Sequence, residues 1–141
     1  MEIGVSRRID RVYKALRRLE KLLQKSLDEI LLDELEPVLE REVEVIVQGL
    51  LDLGEYIISR MGWEPPSSYR EIALILGKNG VLGEEDALKL ARLAGLRNIV
   101  VHLYADIDYN LLYDHAKRLL DDARKMLSEI IEFMENNNID P

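Results

Sequence analysis

The chain has no cysteine, one tryptophan, one phenylalanine and two histidines among its 141 residues. Without thiols there is neither a disulfide scaffold nor a thiolate metal site, and a reducing, cytoplasmic setting is expected. Four prolines and eight glycines leave few breaks in the chain, which favours helix. No Gly-rich phosphate loop is present, so the nucleotide-binding classes that depend on one are excluded, and no cofactor is expected. The most apolar stretch, Val43 to Ile58, is interrupted by Glu44, Gln48, Asp52 and Glu55. A bilayer span needs about 20 nearly unbroken apolar residues, so no membrane role is expected. The opening residues, MEIGVSRRIDRVYK, lack the apolar core of a signal peptide.

Hydrophobic residues make up 48% of the chain and charged residues 33%, which describes a globular protein. Residues 1–141 are expected to form a single helical domain, long enough to bury about 70% of its unfolded surface. The net charge of −8 is unevenly spread. Residues 1–25 hold eight cations and three acids, giving +5, so the remainder sums to −13. Affinity for nucleic acid depends on neutralising phosphates, so general wrapping is disfavoured and DNA is not an expected partner.

Periodicity predicts an all-α, up-and-down bundle of about five helices: three long, one medium and one short. The first is expected from about Ser6 to Leu32, with Ile9, Val12, Leu16, Leu19, Leu23 and Ile30 along one face. Arg7, Arg11, Lys14, Arg18, Lys21 and Lys25 run opposite, as a solvated face or as a track for RNA or a partner. Pro37 suits the first turn of a second helix reaching about Met61. That helix is apolar round much of its circumference, which marks a central helix or one that meets a second chain. Gly49 and Gly54 within it each cost near 1 kcal/mol against alanine, and so predict close approach of other helices. Ser68 and Glu71 fit a capping box opening a short helix to about Gly77. Glu84, Glu85 and Asp86 open a fourth helix to about Leu103, where the dipole favours acids. Asp106 or Asp108 caps a last helix to about Glu135, and Asn136–Asn138 are expected to fray.

The fourth helix carries Arg97-Asn98-Ile99-Val100-Val101-His102, with Tyr104 two residues on. Histidine is the side chain whose unperturbed pKa lies nearest neutral pH, so His102 is the candidate for moving a proton. Arg97 presents a fixed planar cation that suits phosphate. Asn98 and His102 are four apart and share a helix face, whereas Arg97 lies about 140° and Tyr104 about 200° from His102. Two such helices across a dyad would bring the groups together, because a two-fold interface repeats each patch. The chemistry that fits is metal-free cleavage of RNA. His102 moves protons at the ribose and at the leaving oxygen, Arg97 holds the phosphate, and Asn98 orients the imidazole or the phosphate. The expected ends are a 2′,3′-cyclic phosphate and a 5′-hydroxyl. No metal ligation is expected, since the motif helix has no paired ligands. His115 is expected to be structural.

Arg97-Asn98-x3-His102-x-Tyr104 resembles the R-x4-H-x-Y signature of the HEPN superfamily, in particular its HepT branch. The resemblance extends to Arg41-Glu42-x8-Leu51-Asp52-Leu53, Pro66-Ser67-Ser68-Tyr69-Arg70-Glu71 and Leu93-Ala94-Gly95-Leu96. It implies a homodimeric helical toxin that cuts RNA, a single tRNA region fitting the acidic balance better than bulk RNA. By position, Arg97, Asn98 and His102 would be catalytic. The resemblance also implies an MntA-like nucleotidyltransferase antitoxin that silences the toxin by transferring AMP to Tyr104. Each adenylate would add bulk and negative charge beside the phosphate site. The alternative is a non-catalytic helical subunit that binds such a nucleotidyltransferase.

Overall fold

The computed structural model describes residues 3–102 and 108–140, with side chains for 7–95 and 108–140. The described residues form six helices and no strand: α1 Ile3–Leu22, α2 Leu27–Leu32, α3 Glu36–Met61, α4 Tyr69–Lys78, α5 Glu84–His102 and α6 Tyr109–Asn136. They pack as a bundle round α3, which touches α1, α4, α5 and α6.

The expected single helix from Ser6 to Leu32 is two helices. Ser26 breaks it by forming its own capping box: Ser26 Oγ accepts from Glu29 N, and Glu29 Oε1 accepts from Ser26 N. Those bonds also hold the Glu29 carboxyl below its usual range. The reciprocal cap starts a new helix direction more favourably than the old one continues. α3 begins as expected, with Pro37 in its first turn. At α4 only half of the expected box forms. Ser68 Oγ accepts from Glu71 N, while the Glu71 carboxylate takes its hydrogen bond from Ser67 Oγ instead.

Four helices end in one manner. After α2, α3, α4 and α6 a residue with positive φ (Glu34, Gly62, Gly80 and Asn138) turns the chain. The following N–H then bonds five residues back, as in Leu35 to Ile30, Trp63 to Ile58, Val81 to Leu76 and Ile139 to Met134. This satisfies orphan carbonyls and folds an apolar side chain under the helix end. The expected fraying at Asn136–Asn138 therefore does not occur, because Ile139 is buried beyond them. Asp108 caps α6 by accepting from Leu111 N, and Asp106 lies outside the described residues.

α3 is the central helix. Its wide apolar surface is met inside the chain: Val47, Leu51 and Ile58 are buried, as are Leu39, Ile46, Leu50, Leu53 and Ile57. That surplus needs no second copy to explain it. Both interior glycines mark contacts, as their cost predicted. A Cβ on Gly49 would lie 2.4 Å from Val12 Cγ2 of α1, and one on Gly54 2.7 Å from Leu76 Cδ1 of α4.

Candidate functional site

α5 is positioned by α4 and α6. A Cβ on Gly77 would meet the Ala87 Cβ at 2.5 Å, so the α4 and α5 backbones run close together. Along the α6 seam, Lys89 reaches Asp122 at 3.3 Å and Lys125 reaches the buried Asp86 at 3.2 Å. Leu90 and Ala91 are buried in the core, and Ala94 is buried at the floor of a cleft.

Arg97, Asn98 and His102 belong to the final turns of α5, but their side chains lie outside the described residues, and so does the whole of Tyr104. By helical register Ala94, Asn98 and His102 succeed one another at intervals of four along one side of α5. The described surface beside that register is a cleft of about 500 Å³. Its walls are Glu55 of α3, the loop and first turn of α4 from Pro66 to Arg70 with Ile72, and Ala94 and Gly95 of α5. The loop wall is fixed by the Ser67 and Ser68 hydrogen bonds to Glu71. Gly95 has nothing within 4 Å of where a Cβ would stand, so its absence of side chain keeps that wall open. Arg70 is exposed and makes no ion pair among the described residues. The cleft thus offers a cation, hydroxyls and an exposed aromatic, Tyr69, and its α5 wall, Ala94 and Gly95, lies about one turn before Asn98.

A second cleft, of about 270 Å³, lies between α1 and α3, lined by Arg8, Arg11, Arg41, Glu44, Val45, Gln48, Gly49 and Asp52. Of the six cations expected along α1, three are engaged elsewhere. Lys14 pairs with Asp10, Arg18 with the buried Glu42 at 2.9 Å, and Lys25 with Asp33 at 3.7 Å. Arg7, Arg11 and Lys21 remain without ion pairs among the described residues. Arg8 is not part of the stripe expected along α1, and Arg41 figures only in the family resemblance; the packing of α1 on α3 brings both beside Arg11. His115 sits half-buried on α6, which lines neither cleft. Among the described residues, no three His, Asp or Glu side chains are grouped to hold a metal ion. Nor is any helix there long and apolar enough to cross a membrane.

Residues 12–130 match the model of the ribonuclease HepT-like family. The chain is 32% identical over 110 residues to the tRNA nuclease HepT of Aphanizomenon flos-aquae, a match covering 77% of this chain and 75% of that protein. Its fold is similar to that of a tri-AMPylated HEPN toxin of Shewanella oneidensis, solved in complex with MNT antitoxin. There the TM-score is 0.83 at 17% identity, over 94% of this chain and 99% of that one. It is also similar to the cytosolic protein YutE of Bacillus subtilis, with a TM-score of 0.75 at 22% identity over 94% of each chain. With the HEPN fold and a family match spanning most of its length, the chain belongs to the ribonuclease HepT-like family.

Proposed function

We propose that this chain is an RNA endonuclease that cuts without metal, acting as the toxin of a toxin–antitoxin pair. The observation that carries the reading is the open cleft along Ala94 and Gly95, one turn before Asn98, in a chain of this family. Family membership, the nuclease relative and the antitoxin-bound structural neighbour support it.

In this reading two copies face each other, each supplying Arg97 and His102. Neutral His102 of one copy takes the proton from a ribose 2′-hydroxyl, and the 2′-oxygen attacks the adjacent phosphorus. The bond from phosphorus to the 5′-oxygen breaks as the same histidine of the other copy, protonated, gives that oxygen its proton. General acid–base help of this kind contributes about 10²–10⁴-fold. Arg97 binds the phosphate and stabilises its growing negative charge, and Asn98 orients the imidazole or the phosphate. The products are a 2′,3′-cyclic phosphate and a 5′-hydroxyl, and tRNA is the proposed substrate class, supported by the similarity to a tRNA nuclease.

Silencing follows from AMP transfer by a nucleotidyltransferase partner. The Tyr104 hydroxyl oxygen attacks the α-phosphorus of ATP, pyrophosphate leaves and the phenolic proton passes to solvent. A second reading, a helical subunit that only binds the nucleotidyltransferase, draws on the antitoxin complex of the structural neighbour. His102→Ala separates the two. Loss of RNA cleavage with partner binding intact supports the nuclease, and unchanged cleavage supports the binding subunit.

A further inference from the structure

We infer that Arg8, Arg11 and Arg41 form a second phosphate-binding groove, which holds the RNA backbone away from the scissile linkage. The inference rests on the nuclease reading for its substrate, and on the α1–α3 cleft for its geometry.

The protein carries 27 acids against 19 cations, so an exposed arginine has many carboxylates to choose from. Lys14, Arg18, Lys25, Lys89, Arg124 and Lys125 have each found one. Arg8, Arg11 and Arg41 make no ion pair or hydrogen bond among the described residues, yet all three line one cleft of about 270 Å³. Three arginines face two acids there, Glu44 and Asp52, so the cleft keeps a net positive charge. Asp52 accepts a hydrogen bond from Gln48 Nε2 at 2.8 Å rather than from a guanidinium. Next to Arg41 in sequence, Glu42 turns inward and spends its charge on Arg18 Nε at 2.9 Å. Three planar forks with free donors suit phosphate oxygens.

The lining also favours a polyanion over a protein surface. Apart from Val45 and Gly49 every lining residue is charged or an amide, whereas protein interfaces centre on an apolar, charge-depleted core. One side of α3 runs from this cleft to the cleft beside α5. Arg41, Glu44, Gln48, Asp52 and Glu55 follow one another along α3 at spacings of three and four, and so share a side of that helix. Glu55 already belongs to the cleft beside α5, and from Arg41 to Glu55 the axis rises about 21 Å. Glu44, Asp52 and Glu55 repel phosphate, so the strand is gripped beside Arg8, Arg11 and Arg41 and again in the cleft beside α5, and not along the α3 stripe between them. That arrangement admits one folded RNA with phosphates at a set separation, and gives an acidic protein local rather than general affinity for RNA.

The test uses full-length protein carrying His102→Ala, so that RNA binds without being cut, and labelled tRNA as the probe. Affinity is measured across a salt series for this parent and for a form that adds Arg11→Gln and Arg41→Gln. The expected result is at least about a tenfold loss of affinity at low salt. The slope of log affinity against log salt should also fall by about 0.7 to 0.9 for each phosphate no longer neutralised. Arg11→Lys with Arg41→Lys should recover most of the slope, because the charge remains. Arg92→Gln with Arg118→Gln, which removes two exposed arginines of α5 and α6 outside both clefts, should leave the slope as in the parent. An unchanged slope in the groove variant, an equal fall in the Arg92/Arg118 variant, or no tRNA binding by the parent overturns the groove. A reduced slope alongside a wild-type protein that makes no cuts leaves the groove standing and removes the nuclease.

Discussion

Gly49 of α3 lies so near Val12 of α1 that a Cβ on the glycine would stand 2.4 Å from Val12 Cγ2. This close approach brings α1 and α3 near enough for Arg8, Arg11 and Arg41 to share one cleft. Alanine at Gly49 would gain about 1 kcal/mol of helix propensity. The clash with a stiff β-branched side chain costs more, about 1–3 kcal/mol for an overpacked core site. Gly49→Ala should therefore lower stability in urea denaturation. Combined with Val12→Ala it should cost less than the sum of the two single changes, because the methyl that clashes is gone. Strict additivity would mean that the two helices do not meet at this point.

Much of the fold was legible in local chemistry. Pro37, Ser68 and the acids at Glu84–Asp86 opened helices where capping and dipole rules put them, and Gly49 and Gly54 announced close packing. What escaped was decided by competition or by tertiary packing. Apolar spacing ran on through Ser26, and only its reciprocal hydrogen bonds with Glu29 ended α1. Asn138 looked like a frayed tail because burial of Ile139 depends on the rest of the bundle. Breadth of apolar surface on α3 could not distinguish a central helix from an interface, and packing decided for the centre. For the candidate site, sequence named Arg97, Asn98, His102 and Tyr104, but the two clefts, one along Ala94 and Gly95 and one between α1 and α3, arise from the packing of several helices.

The α5–α6 seam carries a pH dependence. Burial, then a hydrogen bond and repulsion from Asp86, hold the Glu129 carboxyl above its usual range, opposed by the Gly83 N–H and by Lys125. A raised folded value means the stabilisation is complete below the unfolded carboxylate range. It is lost as pH climbs through the raised value. Glu129→Gln keeps the shape and removes the ionisation. It should melt higher than wild type at about pH 8, with the difference shrinking toward about pH 4. An equal difference at both pH values would show that the carboxyl does not titrate differently on folding.

Under the proposed silencing, Tyr104 should gain mass in whole adenylate units when the protein is incubated with an MntA-like nucleotidyltransferase and ATP. Intact mass spectrometry of Tyr104→Phe under the same conditions should show none. Increments of the same size on that variant would place the modification on another residue.

The most direct measurement is the chemistry of the RNA ends left by chelator-treated protein on total tRNA. The account predicts new fragments with 2′,3′-cyclic phosphate and 5′-hydroxyl termini, formed by wild type and absent with His102→Ala. Intact tRNA after prolonged incubation, or 3′-hydroxyl and 5′-phosphate ends that appear only when magnesium is restored, would contradict it.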